Sequence, residues 1–224
     1  MLIMGTQECS NLIFDLKDPR VQLLAESDDK LGKLIRYIGT CELALEKDGF
    51  SCLIKYIIGQ QISDKARETI WKRMDMSFCG IDPSKAINVE EDELRKIGLS
   101  WRKIEYIKTL AKAILDNSIS FDDFKTCSNE EVITKLTQIK GIGRWTAEMY
   151  LVFSLGRIDV LSVNDGTIKR SLKWMYDLEA LPTASEVKKY FEKWIDYSSI
   201  VSAYFWKSIL LGLQQKSFGE AILC

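Results

Sequence analysis

Two short stretches hold the residues best equipped for chemistry. The first is Lys140-Gly141-Ile142-Gly143-Arg144, a turn placed just before an apolar helical run. Glycines accept positive φ and let another molecule come close to the backbone. A tight turn here leaves unpaired N–H groups at the start of the next helix, and with the helix dipole those groups favour an anion. Ile142 can plug down between the two helices, while Lys140 and Arg144 add positive charge at the rim. The pattern suits a phosphate-binding hairpin. A plain αα-turn with a glycine C-cap is the other reading of the same residues. The second stretch is Val163-Asn164-Asp165-Gly166. Asn-Asp-Gly is a common turn, and Asp165 can cap a helix starting near Thr167. Asp165 is also a carboxylate able to stabilise positive charge that develops in a reaction.

The rest of the composition narrows the chemistry. The 224 residues contain no histidine, which removes the commonest general base and metal ligand. Any catalysis must rest on carboxylates, lysines, hydroxyls or thiols. The six cysteines, at 9, 41, 52, 79, 127 and 224, form no CxxC pair. They read as reduced, mostly buried small hydrophobes, with no zinc or iron–sulfur site. The net charge of −1 does not announce a nucleic-acid partner, but its distribution is uneven. Residues 1–50 carry six cations against nine anions, and residues 135–175 carry seven cations against three anions. No apolar run has the length of a membrane span. The opening MLIMGTQECS lacks a basic segment ahead of its apolar residues, so no secretory signal is expected and the compartment reads as cytoplasmic.

These residues must be positioned by helices. Leu53, Ile54, Ile57 and Ile58 form one apolar stripe, and Ile104, Ile107, Ala111 and Ile114 another. Two more are Ile168, Leu172, Met175 and Tyr176, and Val187, Tyr190, Phe191, Trp194 and Ile195. Residues 200–213 are apolar on most sides, as expected of a central helix. The only tempting strand is NLIFDL near the start. Breaks at 79–83, 116–118, 156, 163–166 and 181–183 divide the chain into roughly ten helices with short loops. The class is all-α.

Four segments, in order, resemble the helix-hairpin-helix DNA glycosylase superfamily, most closely its bacterial 3-methyladenine DNA glycosylase II group. They are GQQISDKA (59–66), IGLSWRKIEYIKTLA (97–111), LTQIKGIGRWTAEMYLVF (136–153) and DVLSVNDGTIKR (159–170). The chain departs from the family where Lys140 and Ser162 replace prolines. In WIDYSS, Asp196 and Ser198 replace a proline and an arginine.

The resemblance implies two helical subdomains with an active-site cleft between them. One would comprise 1–48 plus 146–224 and the other 49–145, with the hairpin, 136–155, spanning the junction. The GQQIS segment arrives by residue 59, so the extra N-terminal β-domain of some relatives is not expected. The resemblance further implies a monomer acting on damaged double-stranded DNA, associated with the nucleoid if the source is bacterial. No cofactor would take part in the chemistry.

The implied roles fall on particular residues. Asp165 becomes the catalytic carboxylate, and Trp145 and Tyr197 the base-pocket aromatics. Gly141, Ile142, Gly143, Lys140, Arg144 and Lys103 become DNA-binding residues, and Gln61 or its neighbour Ile62 fills the hole left by a flipped base. Backbone carbonyls of Thr137, Ile139 and Ile142 could hold a structural monovalent cation, sodium or potassium. Trp194 and Trp206 are assigned to the core. Strand-cutting relatives carry a lysine two residues after the second hairpin glycine, and Trp145 stands at that position. The expected activity is therefore monofunctional release of alkylated purines of the 3-methyladenine and 7-methylguanine class. A non-catalytic helix-hairpin-helix binder, or a glycosylase for deaminated or oxidised bases, are the alternatives.

Overall fold

The computed structural model describes residues 11–222. The MLIMGTQECS segment, with Cys9, and Cys224 lie outside the described residues. The chain divides into two compact units, residues 1–45 with 156–224 and residues 46–155.

The elements of the N-terminal segment are β1 (Asn11–Phe14), α1 (Pro19–Ser27), α2 (Asp29–Ile38) and β2 (Cys41–Ala44). Next come α3 (Gly49–Gly59), α4 (Asp64–Phe78), α5 (Pro83–Asn88), α6 (Glu91–Lys96), α7 (Trp101–Leu115), α8 (Phe121–Phe124), α9 (Asn129–Thr137) and α10 (Arg144–Phe153). After the return follow α11 (Gly166–Tyr176), α12 (Ala184–Phe191), α13 (Ser198–Leu210) and α14 (Phe218–Ile222). The fold is thus mostly helical, in finer pieces than the roughly ten helices expected.

Local chemistry explains many of the helix starts. Asp28, Asp48, Ser63, Asp82 and Ser100 each accept a backbone N–H at the start of α2, α3, α4, α5 and α7. Ser128 with Glu131, and Thr183 with Glu186, form capping boxes on α9 and α12.

In the first unit, β1 pairs antiparallel with β2, Phe14 opposite Cys41 and Leu12 opposite Leu43. Phe14, Cys41 and Leu43 are buried while Ile13 and Glu42 face out, the period-2 alternation of a half-buried ribbon. The NLIF strand was legible; its partner Cys41–Ala44 was not. Helix α13 packs against α2, α11 and β2 and is buried on most sides, as its apolar character predicted. Its Tyr204 hydroxyl donates to the Phe14 and Gly39 carbonyls. Trp194 is fully enclosed and its indole N–H donates to Ser27 Oγ, whereas Trp206, also assigned to the core, is only half-buried.

In the second unit, α10 packs on α3 and α9, and α7 on α3 and α5. Helix α10 therefore belongs whole to this unit, and the boundaries fall at 45/46 and 155/156 where the sequence reading set 48/49 and 145/146. The physical reason is that Thr146 to Val152 are all buried in this packing, so the helix cannot be cut after Trp145. The burial expected of the cysteines holds for Cys41 and Cys52 but not for Cys79, which is exposed, or Cys127, which is half-buried. Among the described residues no helix is long and apolar enough to cross a membrane.

Candidate functional site

The hairpin joins α9 to α10. Ile139 N–H donates to the Leu136 carbonyl and Ile142 N–H to the Ile139 carbonyl, so the turn closes in two tight steps. Ile142 is buried, as the plug reading requires, along with Ile139. The two glycines differ. Gly141 has φ +96°, and a Cβ there would stand 2.1 Å from Cγ of Tyr106. Only glycine satisfies both conditions. Gly143 needs no such licence: its φ is −88° and a Cβ would meet nothing. Gly143 is the N-cap of α10 and supplies no capping side chain, so the helix start is presented as bare backbone on an exposed residue.

The rim cations are engaged. Lys140 forms an ion pair with Glu105. Arg144 bridges Glu130 and Glu148, with Nη1 at 3.0 Å from Glu130 and Nε at 2.9 Å from the buried Glu148. Those carboxylates raise the Arg144 pKa. Two cations among three carboxylates make a poor free positive edge. An anion at the hairpin would meet mainly backbone N–H groups.

Trp145, at the second position of α10, is half-buried and meets Tyr56 edge-on, with ring centroids 5.7 Å apart. Tyr56 rests in turn on Phe153. Gln61 and Ile62 form the exposed turn between α3 and α4, and Gln61 has φ +59°, a left-handed conformation that few non-glycine residues adopt. The preceding residue, Gln60, extends its side-chain amide to the Gly141 carbonyl at 2.9 Å. Lys103 does not reach outward as a DNA contact would. Its ammonium donates to the Ile58 carbonyl at 2.6 Å, and burial lowers its pKa.

In the first unit, Asp165 is buried and is the N-cap of α11. Its Oδ1 accepts from Thr167 N–H at 2.8 Å and Ile168 N–H at 3.0 Å. These bonds seat the side chain at the positive end of the helix dipole. The capping and catalytic readings thus describe one compatible geometry. Ser162, at the family's proline position, is buried and its carbonyl accepts the Asp165 N–H. The loop that carries Asp165 is stapled to the start of α13: Ser199 N–H donates to the Ile158 carbonyl, and Ser199 Oγ accepts the Val160 N–H. Two residues before Ser199 stands Tyr197, half-buried at the end of a 3₁₀ turn (Glu192–Tyr197). Of the two replaced positions in WIDYSS, Asp196 is exposed and Ser198 is buried, its hydroxyl bonded to the Ile195 carbonyl at 2.9 Å.

Sequence reasoning missed Gln60, Tyr106 and Ser199. All three lie inside segments already singled out, but a side chain whose partner is far along the chain leaves no periodic signal.

Residues 54–196 match the model of the HhH-GPD superfamily base excision DNA repair proteins. The chain is 31% identical over 213 residues to DNA-3-methyladenine glycosylase 1 of Schizosaccharomyces pombe, covering 92% of this chain and 93% of the relative. A crystal structure of a Bacillus halodurans DNA-3-methyladenine glycosidase superposes with a TM-score of 0.80 at 32% identity, covering 95% of this chain and all of that one. The S. pombe 3-methyladenine DNA glycosylase in complex with abasic DNA gives 0.79 at 32% identity, over 84% of this chain and 95% of that one. With its uncapped hairpin in one unit and its buried aspartate in the other, the chain belongs to the HhH-GPD superfamily of base excision DNA repair proteins.

Proposed function

We propose that this protein is a monofunctional DNA glycosylase that excises alkylated purines, of the 3-methyladenine and 7-methylguanine class, from double-stranded DNA. The observation that carries the reading is Asp165, a buried carboxylate held at a helix N-terminus in a chain of this superfamily. The names of its relatives support the substrate class.

Hydrolysis of the N-glycosidic bond builds positive charge on the deoxyribose as the base departs. A fixed carboxylate stabilises that oxocarbenium-like state and orients the water that adds to C1′. An alkylated purine already carries positive charge, so it leaves as a neutral base and needs little help from a general acid. That suits a chain with no histidine. Trp145 and Tyr197 are each partly exposed aromatics, and an aromatic face attracts a cationic purine by ~0.5–2 kcal/mol per ring. The target nucleotide must first leave the stack, and the exposed Gln61-Ile62 turn is suited to filling the gap. Gly141 and Gly143 amides would hold a backbone phosphate. A monovalent cation would be held by the Thr137, Ile139 and Ile142 carbonyls: α9 ends at Thr137, and the Ile139 carbonyl, which accepts the Ile142 N–H, keeps a second lone pair. Trp145, where a lyase carries lysine, leaves no amine for a Schiff base at that position. The protein acts as a cytoplasmic monomer.

Duplexes bearing 3-methyladenine, 7-methylguanine, hypoxanthine or 8-oxoguanine test this directly. Release of the first two, with no borohydride-trapped adduct, is expected. Selective release of hypoxanthine or 8-oxoguanine would move the substrate class. Binding with no release of any base would replace the enzyme with a DNA-binding module.

A further inference from the structure

The turn at Gln61-Ile62 and the hairpin at Gly141-Gly143 are remote in sequence, yet three side chains join them. We propose that Gln60, Lys103 and Tyr106 form a brace that sets the separation between the base-displacing turn and the phosphate-binding hairpin, with Gln60 as its central positioning residue. The idea rests on the glycosylase reading above.

Gln60 is the first connection. It ends α3 and directly precedes Gln61, and its amide nitrogen donates to the Gly141 carbonyl, with Thr146 Oγ1 of α10 at 3.4 Å. The second is Lys103, whose ammonium holds the Ile58 carbonyl in the last turn of α3, where backbone acceptors lack helical partners. The third is Tyr106, three residues further and so on the same face of α7. Its buried ring occupies the space that a Gly141 side chain would need, and Arg102 donates to its hydroxyl. One face of α7 thus supports both the end of α3 and the first glycine of the hairpin.

The brace grips from behind. It uses the Ile58 and Gly141 carbonyls and leaves Gln61, Ile62 and Gly143 exposed. A non-glycine residue at positive φ, as Gln61 is, persists where its surroundings over-determine it. Fixing the turn relative to the hairpin means that a duplex whose phosphate is docked meets the displacing side chain in one register.

The full-length protein tests this through Gln60→Leu, Gln60→Glu, Lys103→Met and Lys103→Arg. Gln60→Glu keeps the length of the side chain and removes its N–H donor. Three quantities are read: amide exchange in residues 59–63 and 140–143, affinity for undamaged duplex, and single-turnover release of 3-methyladenine. Gln60→Leu should speed exchange about tenfold in both segments while the middle of α9 and of α10 stays protected. Duplex affinity should stay within about threefold, while release slows by roughly a hundredfold, the scale of a small misplacement. Adding Gln61→Ala should slow it no further, because the two residues act as one unit. Lys103→Met should behave similarly, and Lys103→Arg should restore function.

Faster exchange confined to 59–63 would overturn the brace, as would affinity that falls in step with release. A reduced salt dependence of binding in Lys103→Met would make Lys103 a DNA contact and overturn its part. If the parent protein releases no base, the glycosylase reading fails on its own, and the exchange data decide the brace. Should Gln60→Leu fail to fold, Gln60→Glu carries the same measurements.

Discussion

Two helix starts, one in each unit, solve the same electrostatic problem in opposite ways. Helix α11 begins with its own anion: Asp165 sits at the N-cap and satisfies two backbone N–H groups. Helix α10 begins with Gly143, which brings no side-chain acceptor. Both helices are long enough to carry a useful dipole. In one, the partial positive charge stabilises an internal carboxylate. In the other, the N-cap residue brings no charge of its own to meet it. The contrast teaches that an absent cap can be as informative as a present one, provided that the neighbouring helices are capped. Here α9, directly before the hairpin, has a complete capping box.

The comparison can be broken most sharply at Asp165. Asp165→Asn keeps a good N-cap and removes the charge. Base release should fall by two to three orders of magnitude, about 3–4 kcal/mol of transition-state stabilisation, with the melting temperature nearly unchanged. Single-turnover release and thermal melting check the two halves. Equal release rates in the two proteins would mean that Asp165 is only a cap.

Gly141→Ala comes next. It combines positive φ with a collision against Tyr106, so a loss of about 1–3 kcal/mol is expected in denaturant unfolding. Duplex binding should weaken with it. Gly143→Asp should separate the two quantities. A carboxylate at the N-cap position would satisfy the α10 amides internally and add a few tenths of a kcal/mol of stability. The same change should cost roughly tenfold or more in duplex affinity on every sequence, since phosphate contacts carry no base information. If stability and affinity move together, the bare helix start is not the phosphate site. The smallest effect is expected from Lys140→Gln. Its charge is already paired with Glu105, so the salt dependence of binding should shift by less than the ~0.9 expected for a full phosphate contact.

Much of this was legible in the sequence because it is local. Helical periodicity, the Gly-Ile-Gly turn and the Asn-Asp-Gly cap depend on neighbours a few residues away. The buried plug at Ile142 and the cap at Asp165 followed from that. What was not legible depended on distant partners. Nothing within four residues tells that Glu105 neutralises Lys140, or that Lys103 turns inward to a helix end. The short strand Cys41–Ala44 has an alternating burial pattern, but four residues are too few to distinguish it from a loop without β1 beside it. Helix α10 carries both the hairpin's rim residues and a buried apolar run, and only its packing on α3 and α9 shows that the two belong to one unit.

The chain leaves the first unit at residue 45 and returns to it at 156. Within the second unit, the two ends of that excursion are fastened together: Glu46 N–H donates to the Phe153 carbonyl at 2.7 Å, and Ser154 Oγ to the Glu46 carbonyl at 2.9 Å. This clasp bears on the order of assembly during synthesis. The ribbon and first helices emerge early but cannot complete their core until α11 to α13 follow. The intervening unit is continuous in sequence and compact, which lets it fold as a unit once its own residues have emerged. Once its ends are clasped, the first unit no longer closes a long floppy loop, whose entropic cost grows with the logarithm of its length. It closes across a short, rigid step. The insertion, by folding, becomes the tool with which its host finishes folding.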